Sequence, residues 1–304
     1  MKTNKMPSHH GVKESRDGTY PNHTLKLLIE RASCRAFSDK KISQDTLQLI
    51  FEAAIHAPTG GNLQPYSIIK IEADKPKQKL AEMCAQNFIA DAPIDLLFCI
   101  DWHRLQRWAQ LEVAPFSATS SFRHFWISFQ DTIIAAQNIC TAADSLGLGS
   151  VYVGTVLEFF RKLRDMFNLP KGVLPVVLLC LGYPKTKPRP RKKLGIDVIV
   201  HSDKYTQSKD DDLKKAFDEK YPNLKIEITE ERLKRIAEVC QKVHGKGFAK
   251  QCIETIKKKG YINPVQRYFG LHYEADVMPD GNEEFLTIIE EFGFNWFRKY
   301  HPFA

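Results

Sequence analysis

Arg31-Ala32-Ser33-Cys34-Arg35-Ala36-Phe37 is the stretch on which the reading of this chain turns. In extended backbone, residues i, i+2 and i+4 point to one side. Arg31, Ser33 and Arg35 would therefore present two guanidinium forks and a hydroxyl to the same spot. A planar fork meets phosphate oxygens two at a time, through charge-assisted hydrogen bonds that are among the strongest a side chain makes. A solvated basic loop after a helix would carry the same residues, so the stretch takes its meaning from what surrounds it.

Immediately upstream, Leu25, Leu27, Leu28 and Ile29 predict a short helix that delivers the chain to Arg31. Residues 1–21 lack apolar periodicity and read as a flexible N-terminal segment. Downstream, Ser43 is a good N-cap for a helix with Leu47, Ile50, Phe51, Ala54 and Ile55 on one face, stopped at Pro58. Then comes Pro58-Thr59-Gly60-Gly61-Asn62-Leu63-Gln64-Pro65-Tyr66, dense in turn formers and amides. Its glycines would let backbone approach a flat ligand, and Asn62 and Gln64 each offer a donor and an acceptor. A plain helix-to-strand connection would explain the Pro and Gly, but has no special need of both amides.

Further on, strands are expected at 67–71 and 94–100 with a helix at 75–85 between them. Residues 102–126 are aromatic and irregular, a composition that suits core, dimer interface or substrate lid. A long Ala- and Ile-rich helix is expected at 128–146, closed by Gly147, with Val153-Gly154 at the end of a following short strand. A helix at 157–167, a buried strand at 173–181 and a short strand at 197–201 complete this part. Residues 185–193 hold six bases and no acid, extended by prolines. They suit a nucleic-acid patch, a solvated tail, or a second jaw on the phosphate awaited at Arg31 and Arg35. Beyond 205 the sequence is charged and helix-forming, with helices expected at 210–220, 230–243, 249–259 and 283–292. No metal, nucleophile or phosphate motif stands out there.

Composition narrows the class. In 304 residues, 43% hydrophobic and 26% charged content is ordinary for a globular protein, and the net charge of +8 favours anionic partners. The longest apolar run, 173–181, is too short to span a bilayer, and the polar N-terminus lacks the apolar core of a signal peptide. Seven cysteines without a close pair exclude a CxxC redox motif or zinc knuckle and suit a reducing cytoplasm.

Taken in order, Arg31-x-Ser33-x-Arg35-x-Phe37, Ala57-Pro58-Thr59-x-x-Asn62-x-Gln64-Pro65-Tyr66, Gly147-Leu148-Gly149, Val153-Gly154, Gly182-Tyr183-Pro184 and Arg189-Pro190-Arg191 resemble the FMN-dependent nitroreductase family. The resemblance covers about residues 25–205. It implies an α+β fold with a mixed, mostly antiparallel central sheet flanked by helices, an intertwined homodimer, and an FMN-binding domain at 22–205. Residues 206–304 are left as an α-helical extension.

By the same resemblance two FMN sites lie in the dimer interface. Arg31, Ala32, Ser33, Arg35 and Arg189 or Arg191 would hold the phosphate and ribityl chain. Pro58, Thr59 and Gly60 would touch the ring from the partner subunit, Asn62 would reach flavin polar groups with Gln64 assisting, and the Val153-Gly154 backbone would line the ring. Electrons would pass from NADH or NADPH through flavin to a small-molecule acceptor such as a nitroaromatic or quinone. No side-chain nucleophile or general base is required, so no catalytic residue is assigned and no metal is expected. This reading needs neither nucleic acid nor a membrane. Two rivals are a flavin- or nucleotide-binding regulator without turnover, its tail an interaction module, and a nucleic-acid-binding protein built on 185–193.

Overall fold

The computed structural model describes residues 20–301; most of the expected flexible segment 1–21 lies outside them. Asn22 caps α1 (His23–Glu30) by accepting from the Leu25 N–H. Ser43 caps α2 (Gln44–Ile55) in the same way at Thr46. Leu47, Ile50 and Ala54 bury one face of α2, as their spacing predicts. Ile55, expected on that face, is 49% exposed because it ends the last turn, rotated off the stripe.

After the loop come β1 (Tyr66–Ile71), α3 (Asp74–Cys84), the short α4 (Phe88–Asp91) and β2 (Ile94–Asp101). Then follow α5 (His103–Leu111), α6 (Phe122–Ser145), β3 (Gly149–Val153), α7 (Phe160–Phe167) and β4 (Val173–Gly182). The four strands form one sheet in the order β1-β2-β4-β3, every pairing antiparallel. β2 and β4 are buried along their whole length, which is why both read as continuous apolar runs rather than alternating ones. Phe98 pairs with Val177 but Cys99 with Pro175, so Val176 is the extra residue of a bulge. Pro175, which has no N–H, sits at this irregularity.

The 24-residue α6 starts earlier than expected, at Phe122 behind the Ser121 cap, and absorbs the last aromatics of 102–126. Residues 103–111, expected irregular, form α5. The sheet-facing positions of α6 include Ala135, Ala136, Cys140 and Ala143, small residues that let the helix lie close to the strands. Gly147 follows with φ +76, as anticipated for a closing glycine.

The described residues divide into two compact units, residues 20–190 with 283–301, and residues 191–282. In the second unit α8 (Ile196–Ile199) replaces the short strand expected at 197–201; its β-branched run finds no strand to pair with. α9 (Asp210–Lys220), α10 (Glu230–His244), α11 (Lys246–Lys259) and α12 (Pro264–Arg267) follow. Leu233, Ile236, Ile256 and Ile262 form this unit's own small core, and Arg235 grips Glu274 and Asp276 at its surface. α13 (Asn282–Glu291) and the residues after it belong chiefly to the larger unit, whose core takes in Ile289, Phe292 and Phe294. Arg161 pairs with Glu284 and Glu291, and Trp296 stacks against Phe122 and Phe125. The expected extension 206–304 is thus shared between the two units.

Candidate functional site

Segment 31–37 is pinned at both ends. The Cys34 N–H donates to the Ser150 carbonyl of β3 at 2.9 Å, and the Cys34 side chain is buried. Phe37 bridges to Pro184, with the Ser38 N–H donating to Tyr183 and the Lys185 N–H to Ala36. Strand contact this close depends on Gly149, where an added Cβ would stand 2.6 Å from the Cβ of Cys34. Three stretches far apart in sequence, 31–37, 147–150 and 182–185, are therefore brought together.

Within that frame the expected phosphate ligands divide. Arg31 Nε donates to Asp144 at 3.1 Å and its Nη2 to Ser150 at 3.0 Å, with the guanidinium 21% and the carboxylate 13% exposed. Burial pushes the Asp144 carboxyl above its usual range, and Arg31 pulls it back. Ser33 and Arg35 lie on the exposed side, opposite Cys34, and among the described residues neither has a partner; Ala32, between Arg31 and Ser33, is half-buried. Arg189 is exposed, five residues beyond the Pro184 bridge; Arg191, also exposed, opens the other compact unit.

The loop at 58–64 is seated elsewhere on α6. The Gly60 N–H donates to both oxygens of Asp131, at 3.2 and 3.1 Å. A Cβ on Gly60 would approach Ile127 to 2.8 Å, so only glycine lets the loop lie this close. Burial raises the Asp131 carboxyl and the Gly60 N–H opposes it. Gln64, at φ +49, receives its hold from the Thr59 hydroxyl on its N–H and from its own amide, which donates to the Ile55 carbonyl. Its amide is thus tied back to α2 rather than offered outward. Asn62 stands at φ +55, a conformation asparagine tolerates well, with its side chain exposed and unpartnered; Pro58 is exposed and Thr59 half-buried.

Val153 is buried at the end of β3, while Gly154 faces open space: nothing lies within 4 Å of where its Cβ would be. An open glycine backbone, two unpaired cationic or hydroxyl groups and a free amide make a donor set that fits a mononucleotide with a flat ring. The residues that sequence reasoning did not single out are Asp131, Asp144 and Ser150. They position the binding segments, and their signal was two acids inside a helix otherwise rich in Ala and Ile. Beside Leu63 a cavity of about 480 Å3 is lined by Trp102, Trp108, Phe116, Glu112 and His124. Among the described residues no cluster of His, Cys, Asp or Glu could hold a metal ion, and no helix is long and apolar enough to cross a membrane.

Residues 28–183 match the model of the nitroreductase family. The chain is 32% identical over 197 residues to the oxygen-insensitive NADPH nitroreductase of Salmonella typhimurium, covering 64% of this chain and 80% of that protein. It is 30% identical over 186 residues to an NAD(P)H FMN reductase of Bacillus subtilis, covering 60% and 75%. The solved NADPH:FMN oxidoreductase of Vibrio harveyi, complexed with NAD+, superimposes with a TM-score of 0.61 at 26% identity, covering 79% of this chain and 98% of that one. A match over half of the chain, in register with the pinned segment 31–37 and the loop at 58–64, fixes the assignment: this chain belongs to the nitroreductase family.

Proposed function

We propose that this protein is an FMN-dependent oxidoreductase that passes electrons from NADH or NADPH to a small acceptor such as a nitroaromatic or a quinone. Relatives named as an NADPH nitroreductase and an FMN reductase support the reaction class. The observation that carries it is Arg35 with Ser33: exposed and unpaired, yet on a segment fixed at Cys34 and Phe37. A fixed cation without a partner is a poor way to stabilise a fold and a good way to hold an anion.

In this reading Arg35 and Ser33 bind the phosphate and Arg31, through the nitrogen left over from Asp144 and Ser150, steadies the same end. Ala32 keeps that side of the segment uncrowded, and Arg189 adds positive charge. Gly154 and the Val153 backbone leave room for a ring, and Pro58, Thr59, Gly60 and Asn62 close on it, with Gln64 holding the loop in shape. Bound FMN supplies the hydride-accepting and electron-donating chemistry; the chain supplies position and charge. The cavity beside Leu63, walled by Trp102, Trp108 and Phe116, suits a flat, apolar acceptor.

A homodimer with shared sites belongs to the same reading. Gly60 is anchored at Asp131 and Arg31 at Asp144, thirteen residues apart on α6. That is about 20 Å along the helix, so the two halves of the site are held well apart within one chain and meet most simply across an interface. Phe122, Trp126 and Phe129 follow helical spacing and leave a largely exposed aromatic stripe on α6 for such an interface. The seven free cysteines suit a reducing, cytoplasmic setting.

The test is an absorption spectrum of the purified protein before and after anaerobic addition of NADPH. Flavin bands that bleach on reduction, and return with a nitroaromatic or quinone, are expected. A colourless protein that binds no added FMN would overturn the proposal.

A further inference from the structure

Five of the seven cysteines, Cys34, Cys84, Cys99, Cys140 and Cys180, are buried in the larger unit; Cys240 and Cys252 are half-exposed. These two stand on consecutive helices of the smaller unit. Along α10 the inward positions run Leu233, Ile236, Cys240, and along α11 they run Ala249, Cys252, Ile256, each an i, i+3, i+7 stripe. The helices pack on each other after the tight turn at Gly245 (φ +86), so the two stripes face one another. Both side chains pack against the core of Leu233, Ile236, Ile256 and Ile262, and Cys252 stands near enough to Cys240 to act on its thiol.

We infer that Cys240 and Cys252 are a redox modification site, closing to a disulfide that staples α10 to α11. Bridging requires the two Cα atoms to stand within about 7 Å, a spacing that facing inward positions of packed helices supply. The oxidant is a low-molecular-weight disulfide. One cysteine thiolate attacks it, forming a mixed disulfide and releasing one thiol; the second cysteine then attacks the mixed disulfide, forming the Cys240–Cys252 bond and releasing the other. Two protons and two electrons leave the protein, and the small disulfide is reduced to two thiols. Burial and the neighbouring Cys252 push the Cys240 thiol up to about 11. The Cys240 thiolate is therefore scarce at neutral pH, and its exchange quickens in mild alkali. The pair is a slow structural staple rather than a catalytic dithiol, and it stands independently of the flavin reading.

The experiment uses the whole protein, incubated undenatured with oxidised glutathione near pH 8.5, close to the reference thiol pKa, then digested with trypsin without reduction. Mass spectrometry is expected to find residues 236–242 linked to residues 251–257, the link vanishing with dithiothreitol and the protein still running at single-chain mass on a non-reducing gel. The oxidised protein should lose two titratable thiols and unfold at a higher temperature, a rise that Cys240→Ser and Cys252→Ser each abolish. Recovery of the two peptides unlinked, as separate glutathione adducts, or linked to another chain would overturn the inference.

Discussion

Segment 31–37 and the loop at 58–64 are built on one plan. In each, one polar side chain is committed to the fold while another of similar chemistry is left free. Arg31 is held by Asp144 and Ser150, and Arg35, four residues on, has no partner among the described residues. Gln64 donates its amide to the Ile55 carbonyl, and the Asn62 side chain, two residues earlier, has no partner among the described residues. In the proposed reading the committed residue fixes the backbone, and the free one meets the ligand on a support that costs little further ordering when it binds. Residue type alone does not separate the two roles, since both pairs hold like with like.

The contrast is sharpest at the arginines. Arg35→Ala removes charge-assisted hydrogen bonds worth about 1.5–3 kcal/mol each, so FMN should bind at least ten-fold more weakly by calorimetry, with Tm of the flavin-free protein unchanged. A drop in that Tm would mean Arg35 is structural after all. Arg31→Met should act chiefly on the fold, leaving Asp144 mostly buried without its partner and lowering stability by about 1–3 kcal/mol. It should also change the pH profile. Asp144 is already raised by burial, and a carboxyl raised in the folded state gives stability at low pH that is lost as pH climbs above the ordinary carboxylate value of about 4. Without Arg31 the rise is larger, so chemical denaturation across that range should fall off more steeply than in wild type; an unchanged slope would show that the pair is weakly coupled.

In the loop the same opposition is expected at smaller size. Gln64→Ala loses one hydrogen bond, about 1 kcal/mol, seen as a lower denaturant midpoint. Asn62→Ala should leave the midpoint alone and weaken FMN binding a few-fold. If the two variants exchange these effects, the loop's roles have been assigned the wrong way round.

Much of the architecture was legible because local signals agreed with the tertiary outcome. Ser43 caps where its side chain can reach Thr46, the Leu47–Ile50–Ala54 spacing marks the buried face, and Gly147 ends α6. Sequence failed where a partner far along the chain decides. The β-branched run at 197–201 suggested a strand, but a strand exists only with a neighbour to pair with, and none is paired there among the described residues. α6 gains its first turn from Ser121 and from packing of Phe122 and Phe125 on Trp296, residues more than 170 positions away. Likewise the motif at 31–37 suggested an anion site, but nothing local shows that Asp144 and Ser150 claim Arg31. The families of contacts that settle roles are long-range, and one-dimensional patterns carry them poorly.

The central claim is that the two halves of each flavin site come from different chains, and a mixed dimer tests it directly. Arg35→Ala and Asn62→Ala chains carrying different affinity tags are co-expressed, the heterodimer is isolated, and FMN is titrated in while flavin absorbance is followed. Shared sites predict one flavin per dimer bound with wild-type affinity, since one site then combines both intact halves, and a second bound far more weakly. Two sites that are both weakened, one as in each single variant, or no dimer to isolate, would contradict it.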